Sequence, residues 1–492
     1  MRVLLVRPFS IVFTKPYFTA KPPINLGYLS GFLKHNGHEV KILDFGLTED
    51  LSSIDGTIKV FDPHIVGVNA FTPNVLDGFD LIKKIKSINS NCFTVMGGPH
   101  STSIPEETLK ECSDLDFVAI GEGEVTLLEL CNALERKNDV SKVAGICYRH
   151  DGKIIRTSSR ALIAKLDDLP FPDRDSIAHL YQKLKIFDQN LKLPLNKILE
   201  IITSRGCTAF CTFCAVHRAF AETARSLRLR SAENVLEEIT LFKSKYDIKH
   251  VSFLDDSFTI NRERIKKILN GLKEMKFTWN CDTRVNLVDR ELIHEMVESG
   301  CKKISIGIES GSDRILKLIN KNITIEQARN VFRWCHEAKL ETIEANFLIG
   351  SHPDETLQDV NETRRLINEL APQRILVSII TPFPGTRVRE QMLERNLIFS
   401  NNWRKYVLMD DEPPPWRTTY FSSEELKNLQ NVIIAEFYFS FKSIITSLKY
   451  MTSVSVFKIY FLAALEVAKG YFSYKVKFIY KKFLKKTSKE NL

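Results

Sequence analysis

Three cysteines stand close together in a chain whose other thiols are scattered. Cys207, Cys211 and Cys214 lie in the segment TSRGCTAFCTFC, spaced Cys-x3-Cys-x2-Cys, directly after the apolar run 199–204. Thiolates at that spacing can meet one metal centre. A structural zinc ion takes four protein ligands; no fourth cysteine is near, and His217 is the one candidate for a Cys3His site. A [4Fe–4S] cluster also normally takes four cysteines. Held by three, it keeps one iron open for a substrate or cofactor, a chemical reason to build a site one ligand short. Three unrelated core thiols are the plainest reading. The remaining cysteines, at 92, 112, 131, 147, 281, 301 and 335, form no framework. That usage suits a reducing compartment, and a cytoplasmic protein is expected.

Other chemistry-bearing residues fall at the ends of predicted strands. Asp255 and Asp256 follow the run 250–254, Arg284 ends WNCDTR, Glu309 sits in ISIGIESGS, and Gly350 follows 343–349. Arg228 and Arg230 precede a predicted helix with Ser231 as its N-cap. Each carboxylate can equally cap a helix or face solvent, and each arginine can equally serve a structural ion pair.

The elements that must position these residues are α/β units. Strands are expected at 199–204, 250–254, 278–282, 302–307, 343–349 and 374–379, with helices at 233–246, 261–274, 289–299, 312–319, 325–338 and 355–370. Six such units suit a full or partial barrel, whose active face is the C-terminal ends of its strands. A second open sheet fits the same pattern. Residues 1–140 carry an earlier series, with strands at 3–6, 39–44, 65–70, 92–98 and 116–123, which suits an open doubly wound sheet. A hairpin through Asp151-Gly152 and the Pro- and Asp-rich stretch 166–175 follow. The expected organisation is a Rossmann-like domain at 1–150, a linker at 151–190, a barrel at 191–410 and a mostly helical region at 411–492. The first sheet has no GxGxxG. It has Gly97-Gly98-Pro99-His100 after its fourth strand and Gly121-Glu122-Gly123-Glu124 after its fifth, either tight turns or a floor for a large flat ligand.

With Phe213 in the aromatic slot, Cys-x3-Cys-x-Phe-Cys after a strand resembles the radical SAM superfamily. Together with the first sheet, over roughly residues 1–420, the chain resembles the cobalamin-binding subclass, similar to class B methyltransferases and anaerobic Mg-protoporphyrin cyclases. The resemblance implies that Cys207, Cys211 and Cys214 hold a [4Fe–4S] cluster. S-adenosylmethionine (SAM) then occupies the open iron, with Glu309 at its ammonium and Arg284 at its carboxylate. Phe213, Arg228, Asp255 and Gly350 belong to the same cofactor set. Asn69, Ala70, Thr72, Gly97, Gly98, Gly121 and Gly123 lie where such domains line cobalamin. His100 touches the corrin edge or bonds locally in the turn after Pro99. The Asp-x-His-x-x-Gly pattern of a histidine lower ligand is missing, since residues 8–25 contain no histidine. Cobalamin is therefore expected without that ligand, or the domain is degenerate.

The activity implied is C-methylation at an unactivated carbon of a hydrophobic substrate: a lipid, polyprenoid or tetrapyrrole. An oxidative cyclase or other radical rearrangement, and a non-enzymatic cluster or corrinoid carrier, are the alternatives. A low-potential donor such as ferredoxin or flavodoxin would supply electrons. Formal charge is +9, and residues 441–492 alone, with eleven lysines, no arginine and two glutamates, account for it. Hence no chain-wide nucleic-acid surface is expected. The basic, ring-rich stretch 441–484 suits either peripheral membrane contact or a helical cap over the barrel. No run of 18 apolar residues predicts a membrane span.

Overall fold

The run RVLLVR forms the first strand, β1 (Arg2–Arg7), with residues of both faces buried, as a parallel strand covered on two sides requires. A computed structural model describes residues 1–10, 21–46, 50–182, 187–188, 193–194, 197–216 and 227–440. Strands β2 (Glu39–Asp44), β3 (Ile65–Asn69), β4 (Phe93–Gly97) and β5 (Phe117–Ala119) run parallel to β1 in the order β2-β1-β3-β4-β5. The strand order reverses between β1 and β3. In such sheets the crevice at the reversal, outside the C-terminal strand ends, takes the ligand.

The expected hairpin is present. β6 (Ile146–His150) and β7 (Lys153–Arg156) extend the sheet antiparallel from β5. Asp151 and Gly152 adopt φ 47° and 74°, both left-handed, as a type I′ turn demands. The first sheet is thus mixed rather than wholly parallel.

The second sheet has six parallel strands in sequence order: Ile198–Ile201, His250–Phe253, Thr278–Arg284, Cys301–Glu309, Thr342–Ile349 and Arg374–Ile379. Helices between them cover one face, where Val251, Trp279, Ile306, Phe347 and Val377 are buried. Six parallel βα units in sequence order make the partial (β/α) barrel that the pattern allowed. Its last strand is sealed by the C-terminal helix Ser423–Tyr438. Gln430 Nε2 donates to the Val377 carbonyl at 2.8 Å and Tyr438 OH to the Ile375 carbonyl at 3.2 Å. Among the described residues no helix is long and apolar enough to cross a membrane. The stretch 441–484 and its expected membrane contact lie outside the described residues.

The two sheets are tied together. Asp173 accepts from Ser30 at 2.6 Å and Lys34 at 2.7 Å. Trp403 donates to Glu111 at 3.1 Å, and Arg404 pairs with Asp77 at 3.0 Å.

Candidate active site

Strand Ile198–Ile201 delivers the chain to the cysteine loop, and a buried carboxylate shapes the exit. Asp255 Oδ1 accepts from the Thr203 amide at 3.1 Å, from Thr203 Oγ1 at 2.9 Å, and from Ser204 Oγ. Burial pushes this carboxyl up, against the hydroxyls and Arg264. Asp255 therefore acts on the cofactor site through the loop it braces. The loop is also pinned from the far side of the barrel. The Thr212 amide donates to the Ile319 carbonyl at 3.0 Å, and Asn320 Nδ2 to the Phe210 carbonyl at 2.8 Å. The Phe213 ring packs against the core.

Cys207 and Cys211 are buried and Cys214 is half-buried. The Ala209 amide points at Cys207 Sγ, 3.4 Å away. Burial pushes the Cys214 thiol up to about 12, with Cys211, Asp256 and Cys207 adding to the effect; a bound metal displaces such a proton. Among the described residues no three metal-binding side chains close round a single point. Three thiols spread along a braced loop, with a guanidinium beside one of them, suit a multi-iron anionic cluster. His217, the fourth ligand of the zinc alternative, lies outside the described residues.

That guanidinium is Arg284. Its Nη1 lies 3.5 Å from Cys211 Sγ, and its Nη2 donates to the Lys321 carbonyl. Lys321 Nζ in turn holds Glu309 Oε1 at 2.6 Å, both side chains being buried. Glu309 has φ 75°, a conformation sparsely populated by non-glycine residues and common at functional sites. Gly307 makes room for the pair, because a Cβ there would stand 2.5 Å from Glu309 Oε1 and 2.9 Å from Lys321 Nζ. Arg284, Glu309 and the cysteine loop are thus brought together, as their strand ends suggested. Lys321 was not foreseen; nothing in KLINKNIT distinguishes it from a surface lysine.

Gly350 sits at another strand end with φ 68°. Its amide and that of Ser351 both donate to Glu355 Oε2, whose carboxyl burial pushes up to about 8. Asp256, next to Asp255, opens to solvent. Burial by surrounding protein, then Asp255 and Asp282, push its carboxyl up to about 6.

At the edge of the first sheet, Asn69 Oδ1 accepts from Asn25 at 2.8 Å, and the Ala70 amide donates to the Gly97 carbonyl at 3.0 Å. Gly98 has φ 115°, and a Cβ on it would lie 2.4 Å from the Ala70 carbonyl oxygen. Thr72 is turned inward, with Oγ1 3.2 Å from His100 Nδ1. His100 is buried against Trp403, ring centroids 4.9 Å apart. Its contact is therefore with the C-terminal part of the chain rather than the turn after Pro99. Part of the loop after β1, residues 11–20, lies outside the described residues.

The glycines after β5 flank a latch. The Gly121 amide donates to Thr102 Oγ1 at 3.1 Å, and Gly123 opens the helix Gly123–Glu135 close against Leu29. Between and beside them, Glu122 Oε1 takes Arg205 at 2.7 Å and Oε2 takes Arg228 at 2.7 Å, while Glu124 takes Arg205 at 2.6 Å. Arg205 and Arg228 face each other on a two-residue antiparallel bridge at the root of the cysteine loop. Arg228 thereby serves the junction of the two domains. Glu122, Glu124 and Arg205 were missed from sequence; two acidic residues in a glycine-flanked helix start were the available signal.

Comparisons with known proteins agree with this layout. Residues 201–367 match the model of the Radical SAM superfamily, and residues 13–131 match the B12 binding domain. A Pyrococcus horikoshii protein named an uncharacterized methyltransferase is 36% identical over 450 residues, covering 89% of this chain and 92% of that one. The anaerobic magnesium-protoporphyrin IX monomethyl ester cyclase of Rubrivivax gelatinosus is 28% identical, covering 78% and 68% respectively. The structure of OxsB, a cobalamin-dependent S-adenosylmethionine radical enzyme solved with aqua-cobalamin and SAM, superposes with TM-score 0.72 at 19% identity, over 99% of this chain and 75% of that one.

Proposed function

Since the chain belongs to the cobalamin-binding radical SAM superfamily, related to class B methyltransferases and anaerobic Mg-protoporphyrin cyclases, we propose that it closes or rearranges a ring in a small molecule by radical chemistry, without net methyl transfer. At the coarser level it is a cobalamin-dependent radical SAM enzyme. The observation that carries the coarser, two-cofactor reading is the Glu122 latch. One carboxylate grips both arginines at the root of the cysteine loop, which ties the end of the first sheet to that loop. The kinship with the Rubrivivax cyclase supports ring chemistry.

When bound, the cluster with SAM supplies a carbon-centred radical for hydrogen abstraction, and cobalamin supplies an electron acceptor or a methyl carrier. The chain's own residues hold and orient. Cys207, Cys211 and Cys214 would hold the cluster. Arg284 offers a planar fork for a carboxylate, and Glu309, steadied by Lys321, offers a carboxylate for an ammonium. Asp255 keeps the loop in shape from beneath. Gly98 lets the chain pass close against the Ala70 carbonyl, where a side chain would push apart the two loops that form the edge offered to a corrin.

Methyl transfer is the second reading, favoured by the Pyrococcus relative. The test is anaerobic turnover with reductant, cobalamin and SAM deuterated in its methyl group, on candidate lipids and porphyrins. Ring chemistry yields 5′-deoxyadenosine and an unlabelled product without S-adenosylhomocysteine. A product carrying CD3, with both nucleosides formed, moves the assignment to methyl transfer. Replacing all three cysteines by alanine should reduce bound iron and sulfide to background and abolish 5′-deoxyadenosine. Retained iron would remove the cluster assignment.

A further inference from the structure

The barrel sheet has two unlike faces. The face under the helices is apolar, whereas the inner face is polar and charged. One register row across it runs Asp282, Ser305, Glu344, Arg374. One layer nearer the strand N-termini lies Glu200, paired in register with Ser252. This departs from the hydrophobic chamber expected for a lipid-like substrate.

Partners on this face are unevenly shared. Two of its basic side chains converge on one carboxylate: Lys303 lies 3.2 Å from Glu344 Oε1, and Arg374 3.6 Å from Glu344 Oε2. Three other carboxylates share what is left. Asp256 makes no side-chain hydrogen bond or ion pair among the described residues, and lies within electrostatic reach of both Cys214 and Asp282. Asp282 has Ser305 as its hydrogen-bond partner. Glu200 is the sharpest case. Its side chain is only 6% exposed; Oε1 stands 3.5 Å from Lys21 Nζ, and the buried Oε2 has no hydrogen-bond partner among the described residues. Lys303 and Lys21 both act on Asp282, which stands one layer above Glu200 on the same face in register. The buried Asn346 Oδ1, on the same face, likewise has no partner among the described residues. A buried unsatisfied carboxylate oxygen is costly unless something completes it.

We infer that the barrel lumen takes a substrate bearing a protonated amine, seated on Glu200, Asp282 and Asp256, with Asp256 the member nearest the cysteine loop. This rests on the lumen being the substrate chamber of the proposed radical enzyme. An ammonium carries three donors and no acceptor, which matches carboxylate oxygens that the side chains of this face leave incompletely satisfied. It also brings the carbon next to the amine toward the cluster end of the barrel.

The experiment uses the full-length, anaerobically reconstituted protein with saturating SAM. Ethanolamine, putrescine and tryptamine are titrated calorimetrically against their uncharged counterparts ethylene glycol, 1,4-butanediol and tryptophol, with geraniol as the apolar arm. At least one amine should bind tenfold or more tightly than its counterpart. Asp282→Asn and Glu200→Gln should each lower that affinity at least tenfold, with unchanged melting temperature. Equal binding of the uncharged or apolar probes, no amine binding, or affinity unchanged in both variants overturns the inference. Amines that bind only without SAM assign these carboxylates to the SAM ammonium, which also overturns it. Should a variant fail to fold, the wild-type preference between amine and counterpart decides. Reductive SAM cleavage is measured in parallel. Cleavage without amine binding breaks this inference alone, and amine binding without cleavage breaks the proposed function alone.

Discussion

Cys207, Cys211 and Cys214 belong to one loop, whereas the cofactor-facing edge of the first sheet is assembled from several: Asn69 and Thr72 after β3, Gly97 and Gly98 after β4, Gly121 to Glu124 after β5. On the proposed function the first region would work through the chemistry of its side chains, since a thiol can bind iron and a methyl group cannot. The second works through backbone shape. Gly98 matters for the Cβ it lacks, and much of the polar side-chain chemistry nearby is turned to other protein groups. Thr72 faces His100, Asn69 faces Asn25, and Glu122 faces the barrel. Side-chain sites leave a spacing in sequence, and steric sites leave only glycines that ordinary turns also use.

Three substitutions test this contrast. The largest effect is expected where the regions meet. Glu122→Ala removes the buried carboxylate that Arg205 and Arg228 share, and removing one partner of such a buried pair costs about 3–5 kcal/mol. Chemical denaturation should show that loss. Burial alone would raise the Glu122 carboxyl, but Arg205 and Arg228, with the Ile163 amide, hold it below the usual range. Its contribution is therefore full above the unfolded carboxyl value of about 4.3 and is lost as pH falls through the lower folded value. A variant as stable as the parent would mean that the regions fold independently of the latch.

Gly98→Val sharpens the steric half of the contrast. The added Cβ meets the Ala70 carbonyl oxygen at 2.4 Å and must hold φ 115°, a strain of about 1–3 kcal/mol. Cobalamin uptake should fall while iron and sulfide content stays at the parental level. Equal uptake by variant and parent would show that the edge is not read by shape.

The smallest effect concerns His100. Burial, and secondarily Arg389, lower its imidazole to about 3, against about 6.5 in an unfolded chain. Below about pH 6.5 the unfolded state takes up a proton that the folded state refuses. Stability is thus full well above that value and falls as pH drops toward 3, by about 1 kcal/mol over the first unit below 6.5 and then by up to about 1.4 kcal/mol per unit. His100→Gln should flatten this part of the pH–stability curve. An unchanged slope would place the ring in contact with water.

Much of the scaffold is legible in order and type. All six barrel strands fall where apolar runs lie between amphipathic helices, and the hairpin follows from Asp151-Gly152. Four helices among the described residues escape that reading, two of them the short Pro99–Ser103 and Arg174–Gln182 in the expected linker. Ser52–Phe61 carries Gly56 and an exposed Val60, and Arg387–Glu394 is short and mostly polar. The inner face of the barrel also escapes it. Alternating polar residues are visible in TWNCDTR and TIEANFLI, but alternation alone does not say whether the polar face meets water, helices or a chamber.

What the sequence determined by itself is local: the thiol spacing, the strand-end positions of Arg284 and Glu309, and the period of the strands. These depend on covalent order and on which side of a strand or helix a residue falls. What only the tertiary structure decided is which charges meet. Arg205 finds Glu122 across 83 positions, Arg228 finds it across 106, and Lys321 reaches Glu309 from a later loop. Coulomb and hydrogen-bond energies depend on distances of a few ångströms and on local burial. Neither exists until the two sheets have packed, so the same arginines and glutamates read as ordinary surface charges until then.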